Sequence, residues 1–231
     1  MKVVAGILIP SVAIILYLLG NTWVKSFSFE FVGNPLVNQL IKFQVYGLLL
    51  SLLTLGLTLL LSPDSKQFLR FGDLSAVAAP VKILGIKAGD SWYKTGGSFL
   101  VVITLVTALF MYAGLGKTAD WSRIREMLPF ILLFSATNAF NEEIITRFSV
   151  VGLLDGVVSP LQIIWTAALI FGLVHYFGNP GGPAGVLMAG CLGWILAKSV
   201  IETGGIGTAW IIHFVQDIVI YTLLLISTQK P

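Results

Sequence analysis

Seven long apolar runs, separated by short clusters of turn-forming residues, organise this chain. A helix that crosses a bilayer needs about 20 mostly apolar residues. On that length the pattern predicts helices over 3–20, 36–61, 98–115, 127–151, 159–177, 184–201 and 207–226. The expected breaks are Gly20-Asn21, Ser62-Pro63-Asp64, Gly96-Gly97, Gly156 to Pro160, Asn179-Pro180-Gly181-Gly182 and Gly204-Gly205. Pro129 and Pro160 fall near predicted helix starts, where a missing N–H does least harm. Residues 65–95 alternate basic and apolar positions, which places part of that stretch in the membrane interface and leaves room for an eighth, re-entrant piece. No internal repeat is visible, which argues against an inverted-repeat transporter.

Composition sharpens this to one class. The chain is 56% hydrophobic and 11% charged, with a mean hydropathy of +0.92; a soluble domain carries about 25% charged residues. The expectation is an all-α polytopic integral membrane protein of about seven helices, six to eight, forming one transmembrane domain over 1–231. Its catalytic core is placed at about 125–226. The first run has no A-x-A cleavage pattern after it and is expected to stay as a helix. The net charge of +3 comes from basic residues scattered over loops, so the surface partner is a lipid bilayer and not nucleic acid. Cys191 has no partner in the chain, which excludes an internal disulfide or a zinc–cysteine site. Lys66, Arg70, Lys82, Lys87 and Lys94 cluster between the second and third helices and place that loop, with Lys2, on the cytoplasmic side. Lys25, Lys117, Arg123, Arg125 and Lys230 lie on the opposite side.

The few ionisable groups inside the runs are the candidates for chemistry, since a charge in hydrocarbon costs at least ~2.5 kcal/mol. Glu143 and Arg147 are four apart on one helix face, acid first, and form an expected bracing pair. Glu142 points about 100° away, so the two glutamates are not expected to share a site. Its neighbour on that face is Asn138, with no cation, which is how a general base is set. Phe171 and His175 share a face, as do His213 and Asp217, and the chain has no other histidine. Counted at 1.5 Å per residue from one side of the membrane, Glu142 lies roughly 21 Å deep, His175 roughly 28 Å, His213 roughly 12 Å and Asp217 roughly 18 Å. Tilt can bring these into one cluster.

The order EEIITR (Glu142–Arg147), FGLVH (Phe171–His175) and HFVQD (His213–Asp217) resembles the CPBP family. These are the CAAX proteases and bacteriocin-processing enzymes, also called Abi-type intramembrane endopeptidases. The resemblance implies hydrolysis of a peptide bond in a membrane-associated protein or peptide. By it, Glu142 activates water with help from His175, His213 and Asp217 stabilise the oxyanion, and Glu143 and Arg147 hold the site. It leaves the cofactor open: zinc held by His175 and His213 with Glu142 or Asp217, or no metal. The HExxH spacing of a zinc-peptidase helix is absent. Asp217 stands where many members carry Asn, Phe148 where Gly is frequent, and Thr146 where an aromatic is common. The rival functions are a proton-coupled transporter or channel using the same acid–histidine chain, and an inactive immunity or scaffold member. A prokaryotic cytoplasmic membrane is the expected location.

Overall fold

The computed structural model describes residues 1–178 and 181–227; Asn179 and Pro180 of the predicted fifth break, and Lys230, lie outside the described residues. The described chain is all-α. Its helices are α1 (Lys2–Trp23), α2 (Pro35–Leu61), α3 (Trp92–Leu115), α4 (Ile124–Glu143), α5 (Ser149–Leu154), α6 (Pro160–Val174), α7 (Gly182–Thr203) and α8 (Gly207–Ile226). A π-helical turn, Ile144–Phe148, joins α4 to α5, so the described residues form seven continuous rods. Six of the rods are long and apolar enough to cross a membrane. The exception is the α4–α5 rod, which carries the buried acids and Arg147.

Local signals account for the helix ends. Asn34 accepts from the N–H groups of Leu36 and Val37 ahead of Pro35, and Ser159 with Gln162 forms a capping box ahead of Pro160. α7 stops at Gly204, whose φ of +69° suits glycine. Three predicted boundaries move. α1 runs through Gly20-Asn21 and ends in a 3₁₀ turn, Val24–Ser26. α3 starts at Trp92 and runs through Gly96-Gly97, because glycine in a packed helix costs only about 1 kcal/mol. α4 starts three residues before the predicted 127, so Pro129 sits inside it and not at its start.

The stretch after α2 is not an eighth helix. It holds two short 3₁₀ turns and the isolated bridges Val77↔Ser91 and Val81↔Ile86, closed over Ala78, Ile86 and Trp92. Glu202 of α7 clamps it, accepting from Trp92 Nε1 at 3.0 Å and the Ala79 N–H at 3.2 Å. Lys198, one turn earlier, pairs with Glu202. Two loop acids are held below their usual pKa range by local hydrogen bonds, Asp73 by the Ser75 hydroxyl and amide and Asp90 by Lys94. The loop therefore keeps its charge at the membrane surface.

Leu60, Leu109 and Leu169 face outward on their helices, as side chains bathed in hydrocarbon do. Inside the bundle small residues let helices close in: a Cβ added at Gly172 of α6 would stand 3.0 Å from Gly190 Cα of α7. α4 packs along α8, and α6 along α7, which sets the polar residues of these four helices against one another. Exposed Ser75 and exposed Ser122 lie in loops separated by the single rod α3. Cysteines placed there, in a Cys191→Ala background, are expected to react with an impermeant thiol reagent from opposite sides of the membrane. Ser75 should label from the cytoplasmic side, and same-side labelling would overturn both the span count and the orientation.

Candidate active site

His213 is the centre of the buried polar cluster. It projects from α8 toward α4 and is 4% exposed. Its Nδ1 lies 2.8 Å from Glu143 Oε1; a carboxylate only accepts, so Nδ1 carries the hydrogen. The other ring nitrogen, Nε2, faces Glu142 Oε2 at 3.7 Å and Asp217 Oδ1 at 3.8 Å. Both separations are too long for a direct hydrogen bond, so Nε2 faces the two carboxyl groups without bonding either. Asn138 closes the figure: its Nδ2 donates to Glu142 Oε1 at 3.2 Å and to Asp217 Oδ2 at 3.0 Å.

The two glutamates therefore do share a site, contrary to the expectation from their 100° offset. An imidazole offers nitrogens on two edges, and the long side chains of Glu142 and Glu143 straddle it from successive positions at the end of α4. They remain unlike. The Glu143 side chain is 1% exposed, whereas that of Glu142 is 14% exposed.

Glu143 also meets Arg147, with Oε1 3.1 Å from Nη1, as the spacing predicted. The stretch between them is not regular α-helix. Thr146 donates to the Glu142 carbonyl and Ser149 to that of Ile145, so side-chain hydroxyls serve backbone acceptors where the turn widens. Such π turns recur at functional sites. Thr146 Oγ1 also accepts from Arg147 Nη1 at 2.6 Å, which gives this departure from the family pattern a role in holding the guanidinium. Phe148 is fully buried in the core with Phe171.

Phe171 is the shared wall. The Arg147 guanidinium lies over its ring at 3.7 Å from the centroid, His175 tilts against it at 4.4 Å, and His213 meets it edge-on at 5.9 Å. His175 ends α6, and its Nδ1 donates to the Phe171 carbonyl at 2.7 Å. Its Nε2 is thereby left as the proton acceptor of the neutral ring. The structure thus brings Asn138, Glu142, Glu143, Arg147, His213 and Asp217 into one hydrogen-bonded or ion-paired cluster, and joins His175 to it through the Phe171 ring.

Of the two options the resemblance leaves open, a zinc set of His175 and His213 with Glu142 or Asp217 is not gathered around one point. Among the described residues no group of three or more His, Cys, Asp or Glu side chains is placed to hold a metal ion. The Phe171 ring stands against both histidines.

Some of the buried polar machinery was not singled out from sequence. Tyr17 of α1 donates to Asn138 Oδ1 at 2.8 Å. Beside it, Gln44 donates to the Tyr221 hydroxyl, Asn141 to Gln44, and Ser51 to Asn141. A signal for the α2 part existed: Gln44, Gly47, Ser51, Thr54 and Thr58 recur at helical spacing and form its buried face.

A cavity of about 310 Å³ approaches the cluster from the basic-loop end of the bundle, lined by Arg70, Phe71, Phe140, Glu143 and Trp210 among others. The larger cavity, about 430 Å³, lies between α1 and α6 and has no titratable side chain in its lining, so volume alone does not mark the chemistry.

Residues 124–219 match the family model for the type II CAAX prenyl endopeptidase Rce1-like proteins. That segment is similar to the Rce1-like family. The match begins at the first residue of α4 and ends two residues past Asp217. It therefore contains every site residue expected from sequence and leaves out α1, α2 and α3. Rce1-like proteins are proteases, so the match supports the CPBP resemblance of this segment, and the six helices long and apolar enough to cross a membrane support an integral membrane protein. No curated protein and no solved structure matches the chain.

Proposed function

We propose that the protein is an intramembrane endopeptidase in which Glu142 activates water. The observation that carries this is the gap at His213 Nε2, with Glu142 Oε2 and Asp217 Oδ1 at 3.7 and 3.8 Å from it, inside an Rce1-like segment. A water held there lies within reach of a carboxylate that is not engaged by a cation. Glu142 takes its proton as the oxygen attacks the scissile carbonyl, and His175, whose Nδ1 is held by the Phe171 carbonyl, assists proton movement through Nε2. His213, fixed through Nδ1 by Glu143, stabilises the developing oxyanion in its doubly protonated form, donating from Nε2, and Glu143 is itself fixed by Arg147. Hydrolysis at membrane depth needs a wet cavity, and the one at the basic-loop end reaches the cluster at Glu143, the residue beside Glu142, from the proposed cytoplasmic side. Each of these steps is carried by side chains of the chain. The substrate we infer is a membrane-anchored peptide, with a prenylated CAAX peptide the first to test; bacteriocin, pheromone and leader peptides are the alternatives. A prokaryotic cytoplasmic membrane is the proposed setting.

Asp217 refines the site. Glu143, and not Asp217, orients His213, which leaves Asp217 the role of hydrogen-bond donor into the gap, from a carboxylic acid. Asp217→Asn preserves that geometry, since its amide oxygen can accept from Asn138 while its N–H faces His213. We expect purified Asp217→Asn in liposomes to cleave a prenylated peptide within roughly tenfold of wild type, whereas Asp217→Leu should lose cleavage. Complete loss in a folded Asn variant would mean that the negative charge itself is needed. Absence of cleavage by wild type, together with a Glu142-dependent proton flux, would replace the peptidase by the transporter.

A further inference from the structure

Asn138 makes three side-chain hydrogen bonds, and one comes from outside the Rce1-like segment. Its two N–H groups go to Glu142 Oε1 and Asp217 Oδ2, and its oxygen accepts from the Tyr17 hydroxyl of α1 at 2.8 Å. Two carboxyl groups demand the N–H end of the amide, and Tyr17 supplies the only donor the opposite end meets among the described residues. The tyrosine ring is itself held fast. It is 2% exposed, packs on Phe43 at 4.7 Å between ring centroids, and lies where a Cβ on Gly47 would come within 2.5 Å of its Cε2. Any side chain at position 47 would push this ring, or Asn141 beside it, out of place.

We propose that Tyr17 is a positioning residue for hydrolysis: it anchors the Asn138 amide, which holds Glu142 and Asp217 on either side of His213 Nε2. The assignment rests on the peptidase reading above for its consequence in rate, and on the hydrogen-bond geometry alone for its mechanism. The first helix is then part of the active site and not merely its wall. Removing the hydroxyl leaves Asn138 Oδ1 without its donor from α1 and lets the amide turn. The spacing of the two carboxyl groups, which depends on that amide, is lost with it.

Tyr17→Phe keeps the ring and its packing, so the fold should stand. We expect kcat to fall roughly tenfold or more, the scale of one lost hydrogen bond in a charged network, with KM unchanged. A double-mutant cycle supplies the discriminating readout: in an Asn138→Ala background Tyr17→Phe should have no further effect, because its target is gone. The side-chain N–H₂ resonances of Asn138, assigned by their disappearance in Asn138→Ala, should be two distinct signals in wild type and should move in Tyr17→Phe. Wild-type kcat in Tyr17→Phe, or full additivity with Asn138→Ala, would overturn the proposal. If wild type cleaves no peptide, the peptidase reading fails separately, and unmoved Asn138 resonances in Tyr17→Phe would then overturn the anchoring itself.

Discussion

Glu142→Gln is expected to abolish peptide cleavage while leaving expression and detergent stability near those of wild type. The amide keeps the size and most of the polarity of the carboxylate, and it can still accept the Asn138 hydrogen bond through its oxygen. It cannot take a proton from water. Loss of a general base lowers rates roughly 10²–10⁴-fold, which a product assay by mass spectrometry resolves easily. Stability should hold because Glu142 is the partly exposed member of the pair and has no ion-pair partner other than the His213 edge at 3.7 Å. A Glu142→Gln protein that cleaves at near the wild-type rate would remove Glu142 from the chemistry. Attention would then pass to Glu143, whose Oε2 is buried without a hydrogen-bond partner and which lines the cavity from the basic-loop side.

The membrane architecture was legible because hydrocarbon imposes a simple rule. Apolar runs of helix length have to be helices, and the seven rods follow the seven runs. The rule weakens at the ends, where glycine pairs mark turns in soluble proteins but are tolerated inside packed helices, as at Gly96 and Gly97. It also says nothing about the basic loop, whose bridges depend on Trp92 and Ala79 meeting Glu202 across more than a hundred residues of chain. In the site, four-residue spacing correctly paired Glu143 with Arg147, and motif order drew attention to both histidines. Spacing on one helix could not show that α8 would insert His213 between Glu142 and Glu143. It could not show that Glu143 would serve two partners, nor that Phe171 would stand against both histidines. Those are relations between helices, and Tyr17 is the furthest of them in sequence.

Arg147 and Glu143 should show the opposite phenotype from Glu142. The guanidinium and the carboxylate are both fully buried, 3.1 Å apart, and Arg147 has Nε and Nη2 without hydrogen-bond partners beyond the face of Phe171. Removing one charge of such a pair strands the other in a low-dielectric interior, at a cost of roughly 3–5 kcal/mol. Arg147→Gln and Glu143→Gln are each expected to lower the melting temperature in detergent by several degrees or more. Glu143→Gln should in addition lose most activity at temperatures where it is still folded, because the one oxygen that already serves both Arg147 and His213 Nδ1 then belongs to a neutral amide and no longer carries the charge that holds them. The double variant Glu143→Gln, Arg147→Gln separates the two roles. With both charges gone, stability should recover toward wild type, since no buried ion is left unpaired, while activity stays low because His213 has lost the carboxylate that fixes it. Wild-type melting in Arg147→Gln would show that the pair contributes no net stability. Recovery of activity along with stability in the double variant would show that Glu143 acts only as the partner of Arg147 and that His213 is oriented by other means.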